Sequence, residues 1–232
     1  MFGLFVCAEV ETDTGIHVIR KTFAGKSGRI AYCQIEENMK RPGETAALVL
    51  ILHGKSGAGR DNSRQLSSPA VESLLKFTRS GGVSVLILVP QCPPERDWVR
   101  GGENSVLTAV AELTAEKCRE FRIPPERCYV TGVSMGGGAC YAIMAARPGR
   151  FAKAVVVSAG GRPELAGRLT GDFYIVHGGN DRLIPVQRAR RMAQAIGCRG
   201  GGHVQFVCLP GKGHTDGAEA AYSRTCWEWL FC

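Results

Sequence analysis

Residues 132–136 read Gly-Val-Ser-Met-Gly, a pattern that can present a nucleophilic serine between a strand and a helix. Residues 127–131 are predicted as a buried strand, and residues 135–146 are small and apolar, as in a buried helix. A serine on so sharp a turn needs small neighbours, which Gly132 and Gly136 supply. The N–H groups at the helix start would face a developing oxyanion. Ser134 is therefore the candidate nucleophile, and a glycine-rich structural turn is the alternative.

A serine hydroxyl needs a base to accept its proton, and the chain offers five histidines. His17 lies in a predicted strand, and His203 follows a run of glycines expected at the surface. His53 and His177 each stand before a glycine at the end of a predicted strand, where local hydrogen bonding is the expected role. His214 lies in a glycine-flanked loop after the last predicted strand. We therefore assign His214 as the base, the alternative being a solvated loop residue.

Asp181 is the candidate acid because it follows the penultimate predicted strand, residues 173–176. An aspartate there would fix the tautomer of His214 and stabilise its imidazolium. Asp172 precedes the same strand and would lie at the opposite edge of the sheet. Asp216 is too near His214 in sequence to reach round to the imidazole. An ordinary helix N-cap is the alternative role for Asp181.

Two backbone amides are predicted to form the oxyanion hole. One belongs to Met135, the residue after the nucleophile. The other is expected from residues 53–55, His-Gly-Lys, and is assigned to Lys55. Because both donors are backbone groups, replacing these side chains should do less damage than replacing Ser134.

The elements that must position these residues alternate between strands and helices. The predicted strands cover residues 3–10, 17–23, 29–36, 46–52, 84–89, 127–131, 154–158, 173–176 and 204–209, and the predicted helices cover residues 62–78, 104–121, 135–146, 186–196 and 218–230. This alternation indicates an α/β domain with a mostly parallel central sheet, helices on both faces and an N-terminal antiparallel hairpin. The candidate residues follow strands, so they should meet at the carboxyl edge of that sheet.

Length and composition are those of one globular domain spanning residues 1–232. The net charge of +8 is scattered and accompanies no recognition motif, so no nucleic-acid partner is predicted. No apolar run approaches the ~18 residues of a membrane span, and the apolar first eight residues are interpreted as a strand rather than a signal peptide.

The ten cysteines include no Cys-x-x-Cys pair, and several lie in apolar strand or helix patterns. Without an export signal, a reducing, cytoplasmic location is expected, which favours buried thiols over disulfides. Cys198, His203, Cys208 and His214 match no zinc-ligand spacing, so neither a metal nor a cofactor is predicted.

Four segments together resemble a known family. They are Leu-His-Gly-Lys-Ser-Gly at 52–57, Gly-Val-Ser-Met-Gly-Gly at 132–137, His-Gly-Gly-Asn-Asp at 177–181 and Gly-Lys-Gly-His at 211–214. They resemble the phospholipase/carboxylesterase and dienelactone-hydrolase branch of the α/β-hydrolases. Val-Pro-Gln-Cys-Pro at 89–93, followed by Trp98, is similar to the predicted-peptidase and feruloyl-esterase-like group. The resemblance implies the α/β-hydrolase fold, the chain order nucleophile, acid, base, and a serine hydrolase.

Two departures from the family pattern bear on the substrate. Lys55 stands where members often carry a small, apolar or aromatic residue, which is expected to alter the acyl pocket or attract an anionic substrate. The short connection between residues 158 and 173 leaves no room for a helical cap domain, so an open, shallow site is predicted. Trp98 either forms a wall of the substrate pocket or packs as a plug, and Gln91 is assigned to the same pocket.

The sequence thus predicts a carboxylesterase that cleaves small or medium acyl esters through an acyl-serine intermediate. The small-molecule ester is its predicted partner. One alternative is a peptidase of the prolyl-oligopeptidase type, although such enzymes usually carry an extra domain that restricts access. Another is a non-catalytic binding protein built on a hydrolase fold, against which the intact Ser134, Asp181 and His214 argue.

Overall fold

The computed structural model of the chain describes residues 8–11, 17–39, 46–100 and 105–232. The first predicted strand, residues 3–10, is therefore only partly covered: residues 3–7 lie outside the described residues, and a strand is present at Ala8–Glu11.

The described strands are β1 Ala8–Glu11, β2 His17–Gly25, β3 Gly28–Glu37, β4 Ala47–Leu52, β5 Val85–Gln91, β6 Cys128–Val133, β7 Lys153–Val157, β8 Asp172–Gly178 and β9 Val204–Leu209. The described helices are α1 Pro69–Gly81, α2 Val106–Glu120, α3 Met135–Ala146, α4 Val186–Arg199, α5 Thr215–Ala221 and α6 Arg224–Phe231.

All these strands belong to one sheet, in the order β1-β2-β3-β5-β4-β6-β7-β8-β9. The first three neighbouring pairs, β1–β2, β2–β3 and β3–β5, are antiparallel. The other neighbouring pairs, from β5–β4 to β8–β9, are parallel. The predicted mostly parallel sheet with an N-terminal antiparallel hairpin is therefore confirmed.

The sheet separates two apolar layers, and β4 shows how. All six of its residues are fully buried, as expected of a strand covered on both faces. Leu48, Leu50 and Leu52 pack in one layer with α2, α3 and α4. The alternate residues of β4 pack in the other layer with α1, α5 and α6. The prediction of helices on both faces is confirmed.

Two predicted helices have different bounds in the structure. The helix expected over 62–78 begins only at Pro69, because a residue before proline avoids the helical region and Ser68 is extended at φ −60°, ψ 130°. The helix expected over 218–230 is broken between α5 and α6. Ser223 starts a new helix there, its side chain accepting a hydrogen bond from the amide of Cys226 at 3.4 Å.

The connection from β7 to β8, residues 158–171, is fully described and contains a single short 3₁₀ turn, Pro163–Arg168. It therefore holds no helical cap over the carboxyl edge of the sheet.

Across the described ranges, no helix has both the length and the apolar character of a membrane span.

Replacing Leu50 by alanine tests the central position of β4. The change should lower the free energy of unfolding by about 2–5 kcal/mol, because it leaves a cavity between sheet and helices. Leu183→Ala removes the same atoms from a side chain that is 70% exposed. That control should change stability by no more than about 0.5 kcal/mol in urea unfolding. Equal effects of the two changes would contradict the described core.

Candidate active site

Ser134 lies between the end of β6 and the start of α3, in a strained backbone conformation. Its φ of 56° and ψ of −116° fall outside the regions that side-chain-bearing residues favour. Such a conformation costs about 1–3 kcal/mol and persists only where the surroundings impose it. The serine amide donates to the carbonyl of Val157 at 2.9 Å, so the neighbouring strand β7 holds the turn in place.

Gly136 and Gly132 allow the turn around Ser134 to close. A Cβ at position 136 would overlap the carbonyl oxygen of Leu52, where β4 ends. A Cβ at position 132 would lie 2.5 Å from the carbonyl carbon of Gly136. Both positions therefore exclude any side chain, which is the physical reason for the glycines on either side of the serine.

The imidazole of His214 bridges Ser134 and Asp181. Its Nε2 lies 3.0 Å from the Ser134 hydroxyl, and its Nδ1 lies 2.7 Å from Oδ2 of Asp181. Because the carboxylate can only accept, Nδ1 carries the proton and Nε2 is free to accept the hydroxyl proton of the serine. The structure thus brings together the three residues that the sequence indicated.

Asp181 uses its two carboxylate oxygens for different tasks. Oδ1 accepts hydrogen bonds from the amides of Leu183 and Ile184, at 2.9 and 2.8 Å, while Oδ2 faces His214. The helix N-cap role is not observed, because α4 begins only at Val186, after Pro185. Oδ1 of Asp181 instead holds the bend that precedes this helix, while Oδ2 orients the imidazole. Burial alone would raise the pKa of Asp181. The hydrogen bonds from Ile184, His214 and Leu183 outweigh burial and hold this pKa below its usual value.

Backbone hydrogen bonds connect the loop that carries Asp181 to the loop that carries His214. The amide of Gly179 donates to the carbonyl of Leu209, and the amide of Asn180 donates to that of Lys212, both at 2.8 Å. Asp216, excluded as the acid, accepts a hydrogen bond from the amide of Gly213 at 2.7 Å and so supports the same loop. The two loops form one unit, which fixes the separation of acid and base.

His177 makes a contact with Asp181 that the sequence did not indicate. Its Nε2 lies 2.8 Å from the carbonyl of Ile184 and 3.1 Å from Oδ2 of Asp181, and its side chain is fully buried. Its Nδ1 has no hydrogen-bond partner within the described part of the chain. The expected local hydrogen bond is therefore present, to the carbonyl of Ile184, and the same ring nitrogen lies close to the carboxylate of the candidate acid.

The two predicted oxyanion donors both begin helical turns beside Ser134. Met135 is the first residue of α3, and Lys55 is the first residue of the 3₁₀ turn Lys55–Gly57. The first N–H groups of a helix have no partner inside it and are available to a ligand. A Cβ at Gly54 would lie 3.5 Å from Cβ of Ser134, so the backbone before Lys55 passes directly by the nucleophile.

His53 stabilises the 3₁₀ turn that begins at Lys55. Its Nδ1 lies 2.6 Å from the carbonyl of Gly54, and the amide of Cys92 donates to its Nε2 at 3.0 Å, so Nδ1 carries the proton. The indole of Trp98 donates to the His53 carbonyl at 3.0 Å, and the two rings lie 4.8 Å apart. Burial, together with the nearby charge of Lys55, lowers the pKa of His53 to about 4 despite its bond to Gly54.

A cleft of about 380 Å³ opens over Ser134. Its walls include Trp98, which is also fully buried and hydrogen-bonded, so this residue both lines the pocket and packs beneath it. Gln91 does not line the cleft. Its buried amide donates to Asp61 and accepts from the backbone of Asn62, each at 2.7 Å.

Lys55 likewise turns its side chain away from the cleft. Its ammonium donates to the carbonyls of Pro94 and Arg96, at 2.6 and 3.3 Å. It therefore connects the loop after β5 to the turn beside Ser134.

In the described residues, no group of three or more histidine, cysteine, aspartate or glutamate side chains is arranged to hold a metal ion.

Comparison with solved structures identifies the fold. A thermostable esterase superposes with a TM-score of 0.80 at 24% identity, over 92% of this chain and 62% of the esterase. A ferulic acid esterase gives 0.70 at 16% identity, over 92% and 96% of the two chains. An S-formylglutathione hydrolase from Agrobacterium tumefaciens gives 0.69 at 13% identity, over 98% of each.

The chain has the α/β-hydrolase fold. This confirms the fold that the sequence resemblance implied. No protein-family model and no curated protein sequence matches the chain. The chain spans 62% of the length of the thermostable esterase. Within the α/β-hydrolase fold, Ser134, Asp181 and His214 occupy the carboxyl edge of the sheet, after β6, β8 and β9.

The buried imidazole of His53 should make the stability of the protein depend on pH. Its pKa of about 4 in the folded state lies below the ordinary value of 6.5. The contribution of the neutral His53 imidazole to the free energy of unfolding is therefore complete above pH 6.5. It is lost as the pH falls toward 4, by about 3 kcal/mol in all. Between pH 4.5 and 6, the free energy of unfolding of His53→Asn should vary less steeply than that of wild type, by up to about 1.4 kcal/mol per pH unit.

Urea unfolding at a series of pH values measures this difference. His203→Asn, which removes an exposed imidazole, is the matched control. Identical pH slopes for wild type and His53→Asn would contradict the assigned neutral state of His53.

Proposed function

We propose that the protein is a carboxylesterase that cleaves small or medium acyl esters through an acyl-serine intermediate. The observation that carries the proposal is the placement of the His214 imidazole, 3.0 Å from the hydroxyl of Ser134 and 2.7 Å from the carboxylate of Asp181. A serine next to an oriented base is an activated nucleophile. The strained turn directs that nucleophile into the cleft.

The proposed reaction follows from these contacts. The Ser134 oxygen attacks the ester carbonyl while its proton passes to Nε2 of His214, and Asp181 stabilises the resulting imidazolium. The amides of Met135 and Lys55 donate to the oxyanion. As the tetrahedral intermediate collapses, the carbon–oxygen bond to the alcohol breaks and the alcohol takes the proton from Nε2. Water then attacks the acyl-serine by the same route and releases the carboxylic acid.

The dimensions of the site support small and medium esters. A cleft of about 380 Å³ is at the small end of the roughly 300–1,000 Å³ range of ligand pockets. The connection after β7 carries no cap above it. The likeness to solved esterases is a likeness of fold, and it agrees with this chemistry without specifying the substrate.

We also propose that residues 1–232 form one domain of the phospholipase/carboxylesterase type that works in the cytoplasm without a nucleic-acid partner. One sheet with an apolar layer on each face supports the single domain. The nine described cysteines are free thiols, which agrees with a reducing compartment.

Hydrolysis of p-nitrophenyl esters from acetate to octanoate tests the proposal. Wild type should hydrolyse the shorter members, and Ser134→Ala should lower kcat/KM at least about a thousandfold because no other group replaces the nucleophile. Ser80→Ala makes the same change in an exposed serine at the end of α1 and should retain wild-type activity. Activity that survives Ser134→Ala would contradict the assignment of the nucleophile.

Paired substrates separate the proposed esterase from the alternatives. The p-nitrophenyl ester and the p-nitroanilide of one acyl group differ only in the bond cleaved, and the ester should have the larger kcat/KM. Faster cleavage of the anilide would favour a peptidase. Absence of hydrolysis of either substrate would favour a binding protein.

A further inference from the structure

The charged side chains that line the cleft are Asp97, Arg162 and Arg188. The two arginines lie on neighbouring segments: Arg162 precedes the 3₁₀ turn after β7, and Arg188 lies in the first turn of α4. We call this pair the arginine rim. Because both line the same cleft as Ser134, they can contact a substrate whose carbonyl carbon reaches the serine.

Arg188 has no partner within the described residues. No hydrogen bond or ion pair connects its guanidinium to any of them. Its side chain lies across the backbone of Gly160, where a Cβ would come within 3.0 Å of Nε and 3.1 Å of Cβ of Arg188. Any larger residue at position 160 would displace the arginine. The guanidinium therefore lies exposed at the cleft, with all its hydrogen-bond donors available to a ligand.

The other charges at the cleft do not neutralise Arg188. Oδ1 of Asp97 accepts from the amides of Val99 and Arg100, at 3.0 and 2.7 Å, and Oδ2 is paired with the Arg100 side chain at 3.1 Å. Asp97 is thus bound by two backbone amides and by Arg100, whose side chain is 89% exposed, and none of its contacts involves Arg188.

Arg162 is only weakly compensated. Its Nε is 4.0 Å from Glu164, and the two side chains are 79% and 75% exposed, so water screens their attraction. The cleft consequently carries a positive charge that the described residues leave without a close counter-ion.

We propose that the arginine rim binds a carboxylate carried by the substrate, so that the preferred substrates are esters with an anionic group. This rests on the proposed esterase function and names its substrate class. A guanidinium matches a carboxylate with two parallel hydrogen bonds, which makes arginine a selective partner for that group. The sequence suggested an anionic substrate from Lys55, whose ammonium instead binds the carbonyls of Pro94 and Arg96.

Two pairs of esters test the proposal, each pair differing in one charge. In the first, the mono-p-nitrophenyl ester of adipic acid carries a free carboxylate in the acyl part, and its methyl ester is the neutral counterpart. In the second, 4-carboxyphenyl butyrate carries the charge in the alcohol part, and its methyl ester is again neutral. In at least one pair, wild type should have about tenfold greater kcat/KM for the charged ester, as expected of a charged hydrogen bond at a partly wet site. The preference should shrink as salt is added.

Substitutions in the arginine rim test whether these two residues cause the preference for charged esters. Arg188→Gln and Arg162→Gln should each lower the charged-to-neutral ratio of kcat/KM about three- to tenfold. The matched control is Arg190→Gln, also on α4, whose guanidinium lies over the ring of Phe206 at 5.1 Å and does not line the cleft. It removes the same net charge and should retain the wild-type ratio. Thermal unfolding checks that all three variants are folded.

The outcomes separate this proposal from the one on which it rests. Hydrolysis of the neutral esters without preference for either charged one would overturn the anionic substrate and leave the esterase standing. A preference that survives both rim substitutions, or that Arg190→Gln lowers equally, would overturn the role of the rim. Absence of hydrolysis of all four esters would overturn the esterase and the substrate class together.

Discussion

The contact between the first turn of α3 and the end of β4 is the constraint on which the site depends. The helix approaches so closely that a single methyl group at Gly136 would collide with the Leu52 carbonyl. This approach leaves the chain only one residue, Ser134, in which to turn from strand to helix, and it forces that residue to φ 56°. The burial of α3 between β6 and the adjacent apolar layer offsets the strain. The outcome is a hydroxyl held at the edge of the sheet.

The rest of the site is organised so that no group must move to meet that hydroxyl. Asp181 and His214 are carried by two loops that hydrogen-bond to each other through their backbones, and a further carboxylate, Asp216, stabilises the second loop. The turn that begins at Lys55 rests on the neutral, buried imidazole of His53. In the proposed reaction, donors that are fixed before the substrate arrives would need no reorganisation, and such fixed donors are the main source of electrostatic stabilisation of an oxyanion.

Sequence patterns predicted the features that depend on local geometry. The glycines around Ser134, the strand before it and the helix after it are encoded within a few residues, and so is the position of His214 after the last strand. The sequence also marks the start of α1, because Pro69 disfavours a helical conformation at the preceding residue, whereas the apolar periodicity of residues 62–78 alone predicts a longer helix.

Features that arise from tertiary contacts were not predictable in this way. Nothing near Gln91 in sequence indicates that its amide would be satisfied by Asp61. The direction of the Lys55 side chain depends on carbonyls about forty residues away. The arginine rim joins a loop and a helix that meet only in the folded protein.

Covalent labelling with a fluorophosphonate, followed by peptide mapping, tests the central claim most directly, because such a probe reacts only with a serine that is already activated. The account predicts a phosphonyl group on Ser134 in the wild-type protein, and much slower labelling in His214→Ala, which lacks the base. A protein that stays unlabelled at Ser134, or one labelled equally fast without His214, would contradict it.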